Sequence, residues 1–405
     1  MTPDDLHADA ERLDAADPLA GHLDRFVPAP GVRAYLDGNS LGRPLAVTAD
    51  RLAAFTRDDW GTRLIRSWDE GWMQRPFELG DRLGRIVLGV APGQTIVADS
   101  TTVLLYKLLD AAASARAGRT EIAIDATNFP TDRFIAHAVA QRHGMTLRWL
   151  EPDPVLGVSL DDVAAAVGEQ TAAVVLSHID YRSGAIADLP AITAAVRASG
   201  ALMLWDLCHS AGSVPIDLDA AGVDLAVGCS YKYLNGGPGA PAFAYVATRW
   251  QDELRQPIEG WMGAGDVFAM ARDYTPATGM RRFLSGTPPV LAMLPIDNML
   301  DLLDEAGLDA VRAKSVSLTS FTIEAADALL AEHGVRVLSP RDPAVRGGHV
   351  TLGHPRAQEL VGILQGDGVI PDFRHPDGIR IGLSPLSSTH AEALGGVLAI
   401  RDALG

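Results

Sequence analysis

Lysine is nearly absent from this chain. Of 34 basic residues only Lys107, Lys232 and Lys314 are lysines, and the other 31 are arginines. A guanidinium stays protonated, whereas a lysine amine can lose its proton and condense with a carbonyl. In so arginine-biased a chain, a retained lysine is a candidate for chemistry that needs an amine. Cysteine is scarce too, with only Cys208 and Cys229, both in apolar strand-end contexts. That excludes a disulfide framework and points to a reducing compartment. There is no CxxC, and the 11 histidines are scattered without ligand spacing, so no metal is expected. No apolar run approaches the ~18 residues of a membrane span. The start, Met1-Thr2-Pro3-Asp4-Asp5, lacks the pattern of a signal peptide, which makes the cytoplasm the expected location. A basic surplus is also missing: 51 acidic against 34 basic residues give a net charge of −17. That argues against nucleic acid or an anionic membrane as partner.

What is present suits a soluble enzyme. The 405 residues are 47% hydrophobic and 21% charged, enough for a large core and two or three domains. Residues 4–25 read as an acidic amphipathic helix, a second helical pattern runs from about residue 45 to Trp60, and Arg66 to Pro76 reads as loop. From residue 79 to about 250, helical and strand patterns alternate. The expected strands are 95–98, 121–125, 146–150, 172–176, 201–205, 225–228 and 243–246, with Ala-rich helical stretches between most of them. This is the βαβ signature of an α/β fold, a mostly parallel sheet with helices on both faces. Gln256 to Thr287 is long, irregular and rich in aromatics and glycine, the mark of a functional segment. After Pro288-Pro289 a helix runs to about residue 305, and strands at 335–338, 349–352 and 378–383 complete a smaller α+β domain. The expected division is an N-terminal arm at 1–50, a large domain at 51–288 and a small domain at 289–405.

Lys232 lies in Ser230-Tyr231-Lys232-Tyr233-Leu234-Asn235-Gly236-Gly237-Pro238-Gly239, between an apolar strand and a glycine-rich loop. Upstream, the apolar run Ala201 to Trp205 delivers Asp206 at its carboxyl end, where open α/β sheets bind ligands. A carboxylate there can keep the pyridinium nitrogen of pyridoxal phosphate protonated, so that the ring accepts electrons; the bland alternative for Asp206 is a helix N-cap. His209 is placed to stack on such a ring or to bond Asp206. The order of strand-Asp followed by strand-Lys is that of the fold type I pyridoxal enzymes. Asp99-Ser100-Thr101-Thr102 precedes a helical run, and hydroxyls at a helix N-terminus suit a phosphate, although plain capping accounts for them as well. Phe129, in Asn128-Phe129-Pro130-Thr131-Asp132, stands at a strand end and reads as a ring-stacking residue or as core. Ser177 begins another polar loop, through Gly184, on the same sheet edge. Arg380 alternates with Ile379 and Ile381 and so faces away from the apolar side, as a carboxylate-binding guanidinium or as a surface arginine.

These segments resemble kynureninase. The resemblance rests on Tyr35-Leu36-Asp37-Gly38-Asn39-Ser40-Leu41-Gly42, Ile65-Arg66-Ser67-Trp68, the motifs around Asp132, Asp206 and Lys232, and Gly260-Trp261, in order over roughly residues 35 to 390. It implies a pyridoxal-phosphate enzyme that hydrolyses the Cβ–Cγ bond of kynurenine to anthranilate and alanine. Lys232 would carry the cofactor and move the Cα proton, Asp206 would pair with the ring nitrogen beside His209, and Phe129 would stack on the ring. Thr101, Thr102, Thr131, Asp132, Ser177 and Tyr231 would surround the phosphate and ring substituents, with Tyr231 assisting the water-addition or protonation step. Trp261 and Thr287 would reach the phosphate of a neighbouring subunit, which implies a homodimer with shared sites. Arg380 would hold the substrate α-carboxylate, with Ser40 and the Trp68 to Trp72 loop lining the substrate pocket. Two positions depart from the family pattern: Ala264 stands for a histidine and Ser387 for a tyrosine, which bears on the aryl end of the substrate. The competing expectations are the same cleavage of a hydroxy- or methyl-substituted kynurenine in a biosynthetic pathway, another fold type I activity such as a desulfurase or aminotransferase, and a binding protein that merely keeps the fold.

Overall fold

A computed structural model describes all residues, Met1–Gly405. Its centre is a seven-stranded sheet with the spatial order Thr95–Ala98, Ala242–Val246, Leu225–Gly228, Leu202–Asp206, Thr171–Ser177, Glu121–Asp125, Thr146–Leu150. Ala242–Val246 runs antiparallel to both neighbours and the remaining pairings are parallel. Alternate residues serve opposite faces. Met203 and Trp205 join one apolar cluster with Ile192 and Val196 of the helix Leu189–Ala198, while Leu202 and Leu204 join another with Leu104 and Leu105 of the helix Thr101–Ala115 and Val139 of Pro130–His143. Coverage on both faces explains why these strands are unbroken apolar runs rather than alternating ones. All the parallel strands point their carboxyl ends to one edge, which collects the loops that follow them.

The second unit is a four-stranded antiparallel sheet ordered Asp372–Arg374, Gly378–Gly382, His349–Gly353, Arg336–Val337. The helices Leu308–Leu330, Ala357–Gly366 and His390–Leu404 bury Leu318, Leu360 and Val397 in the same cluster as Leu352 and Ile379 of the sheet. Leu6, Ala10, Ala34 and Leu36 from the N-terminal segment join that cluster, and Ala34–Tyr35 pairs with Val369–Ile370. The helix Val290–Ala306 buries Met293, Ile296 and Leu300 against the large sheet. No helix is long and apolar enough to cross a membrane.

Two local expectations are corrected. The N-terminal helix ends at Ala15, after starting on a capping box between Thr2 and Asp5, and only a short 3₁₀ turn, Ala20–Arg25, follows. Pro18 is the cause: it lacks a donor, and it disfavours helical geometry at Asp17. The freed Asp17 pairs with the buried Lys314 at 2.6 Å. The stretch Arg66 to Pro76 is helical in short turns, Leu64–Arg66 and Trp68–Trp72, and the helix Arg75–Leu83 begins within it, with Pro76 in its first turn. Aromatic packing shapes these turns: Phe55 stacks on Trp72 at 5.5 Å and Trp68 meets Trp72 edge-on at 5.3 Å. Gln256 to Thr287 holds only two 3₁₀ turns, Trp261–Gly263 and Gly279–Phe283.

Candidate active site

A cavity of about 480 Å³ opens at the carboxyl edge of the large sheet. Thr101 and Thr102 enter it from the start of their helix, and Phe129, Thr131 and Asp132 from the loop after Glu121–Asp125. Ser177, Asp206, His209, Tyr231 and Lys232 come from the ends of three further strands or the loops beyond them. Tyr181 and Cys208 complete the wall. Residues spread over more than 130 positions of sequence meet here because each ends or follows a strand of one sheet.

The loop that carries Lys232 is held by its own backbone. Asn235 N–H donates to Lys232 O at 3.0 Å and Gly236 N–H to Ser230 O at 2.8 Å. The turn needs a positive φ at Asn235 (48°) and Gly237 (84°), conformations that asparagine and glycine tolerate best. From across the cavity rim, Gly42 N–H donates to Tyr231 O at 2.8 Å. Lys232 Nζ lies 2.9 Å from His209 Nε2. Burial first, then the Lys232 charge, holds His209 neutral, well below the usual histidine range. Asp206 Oδ1 accepts from Cys208 N–H at 2.7 Å. Asp132 is buried beside Asp206, and burial followed by that neighbouring carboxylate pushes its pKa well up. The phenol of Tyr231 is pushed up by burial and by the cysteines behind it, so it stays protonated. The Cys208 thiol is likewise raised, first by its hydrogen bond with Cys229 and then by burial, which leaves it a poor nucleophile.

All three lysines have a specific place. Lys107 is fully buried, donates to Asp99 at 2.6 Å and to Phe283 O at 3.0 Å, and so braces the start of the helix at Thr101 against the Gln256–Thr287 segment. Asp99 sits at φ 46° immediately before that helix, and Ser100 caps it through Val103 N–H. Lys314 is tied to Asp17. Lys232 alone has no carboxylate partner.

Arg380 is buried, and its side chain is only 1% exposed. It donates to Tyr181 O at 2.8 Å, to Ser40 Oγ at 2.6 Å and to Asp372 at 2.6 Å, with Asp37 at 3.6 Å. Asp372 also pairs with Arg374, whose guanidinium lies over the Tyr181 ring. The alternation with Ile379 and Ile381 does turn Arg380 away from the apolar side, but toward a buried polar cluster rather than toward solvent. Asp372 and Arg374 were not anticipated. The signal was available in Asp372-Phe373-Arg374, which alternates on the neighbouring strand and sets Asp372 directly opposite Arg380.

Ser40 and Arg380 do not line this cavity but reach its wall through the Tyr181 carbonyl, and Trp68, Trp72, Trp261 and Thr287 stand outside it. Trp72 lines a separate opening of about 910 Å³ with Arg51 and Arg75. Trp261 is 47% exposed, and with Ala264 it lines a surface hollow of about 1040 Å³; Thr287 is exposed. Ser387 lies in an internal hollow of about 230 Å³ beside Tyr233, Ser384 and Leu386, and its hydroxyl has no partner. The volume left by its small side chain therefore falls behind Tyr233, not in the cavity of Lys232.

Comparison with known proteins decides the family. A kynureninase of Deinococcus radiodurans is 42% identical over 408 residues, covering 98% of this chain and 97% of the relative. A kynureninase of Pseudomonas fluorescens is 39% identical over 404 residues, covering 98% and 95%. The chain belongs to the kynureninase family. A family profile for the kynureninase C-terminal domain matches residues 311–400. Among solved structures, the cysteine desulfurase CsdA of Escherichia coli superposes with a TM-score of 0.81 over 95% of this chain and 98% of its own, at 16% identity. The cystine C–S lyase C-DES, in complex with cysteine persulfide, does so with a TM-score of 0.79 over 92% and 98%, at 20% identity. These likenesses establish the shared fold type I architecture. The kynureninase cavity also suits pyridoxal phosphate on its own terms. Asp132 Oδ2 and His209 Nδ1 are buried without partners, hydroxyls stand at a helix N-terminus where an anion binds, and two carboxylates face one amine.

Proposed function

We propose a division of labour by which this cavity carries out the reaction of its family. The enzyme is a pyridoxal-phosphate-dependent hydrolase that cleaves the Cβ–Cγ bond of kynurenine with one water, giving anthranilate and alanine. When bound, the cofactor supplies a carbonyl for Lys232 and a ring that takes up the electron pair left at the substrate Cα.

Lys232 would hold the cofactor, and its amine is placed to move the Cα proton. His209 Nε2 lies 2.9 Å from its Nζ. Asp206 would hold the proton of the ring nitrogen, Phe129 would cover a ring face, and Asp132 and Ser177 would bond ring substituents. Thr101, Thr102 and Thr131 would offer hydroxyls to the phosphate. Tyr231, whose phenol keeps its proton, donates during water addition or protonation. Arg380, already ordered by Ser40, Asp372 and the Tyr181 carbonyl, binds the α-carboxylate. Such pre-ordering lowers the entropic cost of binding.

Trp68, Trp72, Trp261 and Thr287 do not line this cavity. We therefore propose a homodimer in which a second copy brings Trp261 and Thr287 to the phosphate, in a reducing cytoplasm that suits two unpaired cysteines. The observation that carries the reading is the meeting of Asp206, Asp132, His209 and the unpaired Lys232 in one cavity.

Borohydride reduction and peptide mapping test it: label on Lys232 is expected, and label on Lys107 or Lys314 would refute the assignment. Incubation with kynurenine, 3-hydroxykynurenine and ring-methylated kynurenines, followed by anthranilate fluorescence, tests the reaction and ranks the substrates. No anthranilate from any of them would refute the activity.

A further inference from the structure

Arg380, the candidate anchor for the substrate carboxylate, is already paired with a carboxylate of its own chain. Asp372 stands directly opposite it on the neighbouring strand and accepts from its Nη2 at 2.6 Å. A buried ion pair of this kind competes with any carboxylate that arrives from outside. Arg374 changes that balance. It lies two residues beyond Asp372 on the same strand, so its side chain leaves the same face, and its Nη2 pairs with the same Oδ2 atom that Arg380 uses. The Arg374 guanidinium rests over the Tyr181 ring, 5.7 Å from its centroid, and Tyr181 in turn walls the cavity of Lys232. Arg374 Nε is buried without a partner, and Asp372 is the one carboxylate with which Arg374 pairs.

The charged groups that face Arg380 are Arg374, Asp372 and Asp37, the last at 3.6 Å. Two guanidinia and two carboxylates sum to zero, so the cluster can take up one more carboxylate and become singly anionic. Without Arg374 the same cluster starts at −1, and a substrate carboxylate takes it to −2 around an Arg380 that is only 1% exposed. Like charges at this depth are screened little by salt. The two ends of Arg380 are also distinct. Nη2 is held by Asp372 and Ser40, whereas Nη1 is the end at the cavity wall, where Tyr181 O accepts at 2.8 Å. The Arg374 charge is thus what lets Arg380 serve a second carboxylate beside Asp372.

We propose that Arg374 is a positioning residue for the amino-acid carboxylate: it neutralises Asp372 and so keeps the charge of Arg380 available to the substrate. It acts through Asp372 and Arg380 and does not itself line the cavity. The inference deepens the proposed function and rests on Arg380 being the carboxylate anchor.

The test uses the cofactor-loaded enzyme and reads binding through the cofactor absorbance as well as turnover. Alanine, the product with a free carboxylate, is titrated beside alaninamide, which keeps the amine but has no carboxylate charge. Arg374→Met is expected to weaken alanine about tenfold or more, with alaninamide changed less than about twofold. KM for kynurenine should rise by a similar factor with kcat little changed. Arg374→Lys keeps the cation and should bind alanine nearly as the wild type does. Adding Asp372→Asn to Arg374→Met removes the competing carboxylate and returns the cluster to zero, so it should recover most of the loss; a role in folding alone would give a further loss instead. Should Arg374→Met fail to fold, Arg374→Gln is read in the same way. Unchanged alanine binding, equal weakening of alanine and alaninamide, or a double variant no better than the single one would overturn the proposal. A wild-type enzyme that binds alanine no better than alaninamide would instead refute Arg380 as the anchor, and borohydride label on Lys232 checks the cofactor assignment separately.

Discussion

One methyl group at Gly42 should disable the site while leaving the cofactor attached. Gly42 lies where the loop that carries Ser40 crosses the backbone of Lys232. A Cβ there would sit 2.4 Å from Lys232 O and 2.6 Å from Cγ and Nδ2 of Asn235. Neither neighbour can swing aside: the first is backbone, and the Asn235 amide is itself bonded to Arg43 O at 2.7 Å. Ordinary contact begins near 3.4 Å, so Gly42→Ala must part loop and lysine by about 1 Å, the scale at which misplacing a reacting group costs about 100-fold in rate. Overpacking of this kind also removes about 1–3 kcal/mol of stability. Both ends of the site feel the shift, because Ser40 bonds Arg380 and Lys232 meets His209. The expected result is a fall in kcat/KM of about 100-fold, with borohydride still labelling Lys232 and the fold retained. The assays are anthranilate fluorescence, urea unfolding and peptide mapping. A Gly42→Ala enzyme with wild-type kcat/KM would show that this loop yields freely and does not hold the lysine in place.

Three further outcomes follow from the same contacts. Asp206→Asn should remove a charge-assisted bond worth about 1.5–3 kcal/mol, lowering kcat roughly 10- to 150-fold while cofactor absorbance persists; near-normal turnover would reassign Asp206 to capping the Cys208 amide. Lys107→Met should leave Asp99 without its cation, and because the Asp99 side chain is 28% exposed, the loss should sit near the lower end of the range for a broken buried pair, about 3 kcal/mol by urea unfolding; a loss well under 1 kcal/mol would refute the bracing role of Lys107. His178 is fully enclosed and burial lowers its pKa to about 4. Between that value and the usual 6.5 the unfolded chain binds a proton that the folded one does not, so stability should fall as pH drops through this window, by up to about 3 kcal/mol. His178→Phe should lose the share of that slope due to His178, the buried His209 and His349 keeping theirs, and identical pH dependence of wild type and variant in urea unfolding would refute it.

The inner strands of the large sheet were legible because a strand covered on both faces must be apolar at every position, whereas the edge strand Thr146–Leu150 leaves Thr146, Arg148 and Trp149 exposed. Thr95–Ala98, Glu121–Asp125, Thr146–Leu150 and Leu225–Gly228 have the expected ends, Thr171–Ser177 and Leu202–Asp206 differ by one residue at each end, and Ala242–Val246 by one at its start. The cofactor cavity was legible for a related reason. In an open α/β sheet the polar residues just beyond strand ends converge, so Asp206, Ser177 and the Lys232 loop could be assigned to one place from their order alone. Arg66 to Pro76 was not legible, since its shape comes from Trp68, Trp72 and Phe55 packing together and not from any repeat along the chain. The Arg380 cluster was legible only in part: Asp372-Phe373-Arg374 alternates visibly, but the antiparallel register is what sets Asp372 opposite Arg380.

The two family departures show how far a motif alone can be pressed. In sequence, Ala264 and Ser387 both look like space opened beside the substrate ring. In the structure they are apart from each other and from Lys232: Ser387 borders an internal hollow behind Tyr233, and Ala264 lies on the exposed segment with Trp261. Of the groups proposed for the amino-acid end of kynurenine, Lys232, Asp206 and Tyr231 line one cavity, and Arg380 with Ser40 joins its wall through the Tyr181 carbonyl. The residues expected at the aryl end do not face that cavity. In the proposed dimer, selectivity for the ring then depends on a surface segment with little internal structure, while the bond-breaking groups rest on the rigid edge of a sheet. If the proposed dimer divides the site in this way, substitutions in Gln256 to Thr287 should alter ring preference with Lys232 undisturbed.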